Sequence, residues 1–74
     1  SPEVVRYHLP KITVNPNNVA LLSDNIDHML EDMHVAAATS TRLCLLGELL
    51  RQANIPMQKS RVIVNAYNNH LKEG

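Results

Sequence analysis

Proline placement constrains this chain more than any other feature. Pro2, Pro10 and Pro16 fall in the first 16 residues, and the next proline, Pro56, comes only after the uninterrupted stretch 17–55. Each proline pushes its predecessor toward extended backbone, so residues 1–16 are predicted to form an extended arm and residues 17–74 a helical domain. Within the arm, Lys11-Ile12-Thr13-Val14-Asn15 alternates polar and apolar residues, the period of a half-buried strand with Ile12 and Val14 on one side.

Helical periodicity begins after Asn15-Pro16, where Asn suits an N-cap and Pro suits the first helical position. Val19, Leu22, Ile26, Met29, Leu30 and Met33 recur at three- and four-residue steps, which predicts a first helix over about 16–34. Its other face is acidic, with Asp24, Asp27, Glu31 and Asp32. His34 to Ala38 contains no breaker, so the break is placed at Thr39-Ser40-Thr41, good capping residues that are poor in helix interiors. A continuous helix from Pro16 to Ala53 in a coiled coil is the rival reading.

The second helix, about 40–53, gathers Leu43, Leu45, Leu46, Leu49, Leu50 and Ala53 on a wide arc and is expected to be central to the bundle. Asn54 tolerates a left-handed C-terminal conformation, and Pro56 restricts Ile55, so that helix ends there. The third helix, about 57–72, sets Val62, Ile63, Val64, Ala66, Tyr67 and Leu71 against a face of Gln58, Arg61, Asn65, Asn68, Asn69 and Lys72. The expected fold is therefore all-α, a compact bundle of three main helices behind the arm.

With 74 residues there is room for one domain, and a chain of this size buries only roughly 60% of its unfolded surface. A 45% hydrophobic share with 19% charge is too apolar for intrinsic disorder, and no apolar run nears the roughly 18 residues needed to span a membrane. The single cysteine, Cys44, excludes an internal disulfide and points to a reducing, intracellular setting, cytoplasm or nucleus. An opening Ser1-Pro2 points to a domain of a longer protein. Charge is balanced overall, seven basic against seven acidic residues, but it is segregated: residues 17–34 carry four carboxylates and no Lys or Arg.

Few constellations suggest chemistry. Glu31-x-x-His34 has the spacing of a helical metal pair, but such a site also needs glutamates from other helices and Glu48 is the only candidate elsewhere in the expected helices, so the acidic face is read as solvated. Cys44, flanked by leucines, is expected to be an inert core thiol. Gly47, the only glycine inside a helix, is expected where a neighbouring element passes close. No glycine-rich phosphate loop exists, and enzymatic activity, a cofactor, a metal or a small-molecule substrate is not expected.

Binding is the better expectation. Glu48 to Pro56 resembles the first half of a helix-turn-helix, with Asn54 where that motif usually has glycine and Ile63, Val64 and Tyr67 at core positions of the second helix. The resemblance implies DNA contact through Gln58, Lys59, Arg61 and Asn65. Lys11 to Asn15 followed by two helices also resembles a ribbon-helix-helix, to which a third helix would be superfluous. Apolar side chains exceed what three helices need for a core, and this favours a non-catalytic interaction module of a larger regulatory protein. Such a module would bind a protein partner or itself through Ile12, Val14, Leu22 and Met29.

Overall fold

The computed structural model describes residues 18–74, which fold into three α-helices: α1 (Val19–Met33), α2 (Thr39–Gln52) and α3 (Met57–Glu73). The all-α expectation holds, and no strand occurs among the described residues. The arm, and with it Ile12 and Val14, lies outside them. So do Asn15 and Pro16, the expected start of the first helix; α1 begins instead at Val19, after Asn18, whose side chain makes no capping hydrogen bond.

The break between α1 and α2 falls earlier than the capping residues suggested, and it rules out the continuous helix. His34 adopts a left-handed conformation with φ 54°, and its amide donates to the Glu31 carbonyl while the Val35 amide donates to that of Leu30. This pair of bonds is a Schellman closure, which satisfies two of the carbonyls that a helix end orphans. Alanine propensity at Ala36 to Ala38 is overridden by tertiary contact. Arg42, near the start of α2, donates from Nε to the Ala37 carbonyl at 2.9 Å and from Nη1 to the Asp27 carboxylate, bonds that exist only if the chain turns back here.

The second turn is as the sequence indicated. Asn54 is left-handed with φ 56°, the Ile55 amide donates to Leu50 and the Asn54 amide to Arg51, and Pro56 precedes the first residue of α3. The Ser60 hydroxyl adds a long bond to the Ile55 carbonyl, 3.4 Å, on the same corner.

Leu22, Ile26, Met29 and Leu30 of α1, Leu46, Leu49 and Leu50 of α2, and Ile63 and Tyr67 of α3 form one buried cluster. Val19, Leu43, Leu45, Ile55, Val64 and Leu71 pack around it. The central helix is α3, not α2 as expected, because α3 packs extensively against both others while α1 and α2 meet only narrowly. Leu22 and Met29, expected at a partner surface, belong to this core; an apolar stripe looks the same whether its own chain or another covers it. Gly47 is exposed, and a Cβ there would meet nothing within 4 Å, so no close passage explains it. Cys44 is also exposed.

Candidate interaction surfaces

One polar junction ties α1 to α2, beside a buried hydroxyl of α3. From α2, the Arg42 guanidinium reaches the Asp27 carboxylate of α1, with the Arg42 side chain largely buried and that of Asp27 about half exposed. Asp27 is the main reason the Arg42 charge is favoured beyond its ordinary range, and the Tyr67 hydroxyl of α3 is the next. That hydroxyl lies beside the guanidinium without meeting hydrogen-bond geometry, and it is buried with no hydrogen-bond partner among the described residues. The junction has no cleft chemistry to offer: one cation and one anion already neutralise each other. Its role is to fix the angle at which α1 and α2 leave their connection.

A second polar group sits on the last turn of α2. Glu48 accepts from Arg51 Nε at 3.0 Å, from Arg51 Nη2, and from Gln52 Nε2 at 3.0 Å. Arg51 first, then Gln52, hold the Glu48 carboxyl down to about 2. Arg51 thereby has a carboxylate partner on its own helix, in an exposed pair of the kind that contributes little to stability.

All four residues implied by the helix-turn-helix resemblance, Gln58, Lys59, Arg61 and Asn65, are exposed. Gln58, Arg61, Asn65, Asn69 and Lys72 line one stripe along the outside of α3, with Lys59 on its flank. Val62, expected in the core, lies along the edge of this stripe and is 56% exposed. The wheel could have shown it: Val62, Ile63 and Val64 are successive, and steps of about 100° cannot put all three on one side.

The outside of α1 forms a contrasting stripe of Leu21, Asp24, His28, Glu31 and Asp32, all exposed, with Leu21 at 51%. His28 donates from Nδ1 to the Asp24 carbonyl at 2.8 Å. That bond is the main cause raising its pKa above 6.5, assisted by the charges of Glu31, Asp24 and Asp32. His34, the partner of Glu31 in the metal-pair spacing, sits past the helix end in its left-handed turn. No three His, Cys, Asp or Glu side chains converge on a common point among the described residues.

Apolar exposure concentrates at the α1–α2 connection. Met33, Val35, Ala36, Ala37 and Ala38 are all exposed and consecutive but for His34, and Val35 to Ala38 are in neither helix. Met57, the first residue of α3, is 70% exposed at the other turn. The sequence carried this signal as an alanine run without a breaker, which propensity reads as helix.

No helix among the described residues is long and apolar enough to cross a membrane. Among known families, curated proteins and solved structures, none matches the chain.

Proposed function

We propose that this domain is a non-catalytic helical interaction module of a larger intracellular regulatory protein, which binds a protein partner or itself through apolar side chains left outside its core. The observation that carries the reading is the exposed run Met33, Val35, Ala36, Ala37 and Ala38. These residues sit on an anchored connection whose ends are fixed by the Schellman closure at His34 and by Arg42, so they are presented without a large ordering cost on binding.

Peptides selected from a random library against the domain should be rich in apolar residues. A Met33→Ser, Val35→Ser double variant should stay folded, with a lowered melting temperature because both side chains are partly covered, and lose those ligands. Selection of polar ligands whose binding ignores the double variant would count against the proposal.

The exposed α3 stripe supports a second reading, DNA binding through Gln58, Lys59, Arg61 and Asn65. Arg and Asn or Gln are the side chains that read base edges bidentately. On this reading Arg61→Ala should cost about 1–3 kcal/mol of specific affinity, while Lys59→Ala should weaken binding evenly across sequences and flatten its salt dependence. A titration of the domain with random duplex at low salt is decisive, because non-specific phosphate contact is the least a DNA-binding domain must show. Absence of any salt-sensitive binding there eliminates this second reading.

A further inference from the structure

We infer that the outer faces of α1 and α3 are complementary, and that a second copy of this chain docks its α3 stripe onto the α1 stripe of the first. The inference rests on reading the domain as an interaction module, and it names the partner for a surface distinct from the α1–α2 connection.

Three observations support it. The first is charge. Among the described residues, Asp24, Glu31 and Asp32 on α1 are exposed and make no ion pair, and the exposed Lys59, Arg61 and Lys72 on α3 make none, the ion pairs there being Arg42 with Asp27 and Arg51 with Glu48. Three carboxylates thus stand on one face, and two cations, Arg61 and Lys72, on the other, with Lys59 on its flank and Glu73 at its C-terminal end. The second is the apolar residue each stripe carries, Leu21 at 51% exposure and Val62 at 56%, which can meet and exclude water at one end of the contact.

The third is spacing. Counting from Leu21, the α1 stripe continues at Asp24, His28 and Glu31; counting from Val62, the α3 stripe continues at the same three intervals with Asn65, Asn69 and Lys72. With Leu21 set against Val62 in parallel register, Asp24 faces an Asn amide, His28 faces another, and Glu31 faces Lys72 about 15 Å along both helices.

The geometry also fixes the kind of assembly. Inside one molecule α1 and α3 meet through their inner faces, so the two stripes point to opposite sides. Each copy offers one face of each kind, and the contact is heterologous. It extends into a ring or an open chain rather than stopping at a two-fold dimer.

Charge reversal tests this. At low ionic strength the wild-type domain should sediment as a concentration-dependent series of species. Raising salt to about 1 M, where screening reaches only ~3 Å, should return it to monomer. Asp24→Lys with Glu31→Lys makes both stripes basic, and Arg61→Glu with Lys72→Glu makes both acidic. Each variant alone should be monomeric with unchanged helical content, since every substituted side chain is exposed. An equimolar mixture of the two should associate again, because each acidic stripe then finds a basic one on the other variant.

A wild-type domain that stays monomeric at its highest attainable concentration overturns the inference. So does a mixture that stays monomeric, or a single variant that assembles like wild type. None of these outcomes touches the module reading, which is decided separately by the Met33→Ser, Val35→Ser variant and its peptide ligands.

Discussion

Replacing Tyr67 with alanine should unfold the domain, while replacing it with phenylalanine should leave it as stable as wild type or more so. The ring is 0% exposed, on the helix that touches both others, and belongs to the one buried cluster. Removing a large aromatic from such a site costs about 3–5 kcal/mol through lost transfer energy and the cavity left behind. A single core in a chain this short supplies roughly 3–5 kcal/mol in all, so little or nothing would remain. The hydroxyl is a separate matter. A buried polar atom without a partner is a net cost of about 1–3 kcal/mol, and phenylalanine removes the atom while keeping the ring. Chemical denaturation of the three proteins checks both halves. A clear loss of stability in Tyr67→Phe would mean that the hydroxyl bonds the Arg42 guanidinium in solution, and that the junction is a full three-helix network.

How much of this was legible in the sequence depends on whether the deciding interaction was local. Asn54-Ile55-Pro56 announced its turn because a left-handed Asn and a proline are local signals, and Leu46, Leu50, Ile63 and Tyr67 announced a core because their spacing is helical. The α1–α2 break was not legible. Nothing in His34 to Ala38 opposes a helix, and the residue that holds the turn, Arg42, acts through Asp27, 15 positions earlier in the chain.

Cys44 and Gly47 were misread for a related reason. Both neighbour leucines in sequence, but at about 100° per residue a neighbour in sequence points elsewhere, and both ended on the exposed side of α2. Of the expected contact residues, Gln58, Lys59, Arg61 and Asn65 were legible as exposed because the α3 pattern divides sharply. Leu22 and Met29 were not legible as core rather than interface, since periodicity identifies a buried face without saying what buries it.

Leu50→Ala should lower the unfolding free energy by about 2–5 kcal/mol, against no more than a few tenths for Val62→Ala, although both are aliphatic residues cut back to the same methyl. Leu50 is buried between α2 and the rest of the core, whereas Val62 stands on the outer stripe of α3. Two effects add at Leu50. Its side chain fills the shared core, so truncation leaves a cavity that neighbouring leucines on a helix close only in part. Its side chain also stands at the turn where its carbonyl, which alanine would keep, accepts the Ile55 amide, and Ile55 packs against the same core cluster. In a Schellman closure the residues at these two positions commonly support each other by apolar contact, so loosening one frees the corner that sets α3 against α2. Denaturation midpoints of the two variants, taken with an unchanged denaturant slope, separate these sites cleanly. Equal midpoints would require that α2 is anchored elsewhere, and that the cluster of Leu46, Leu49 and Leu50 does not hold the bundle together.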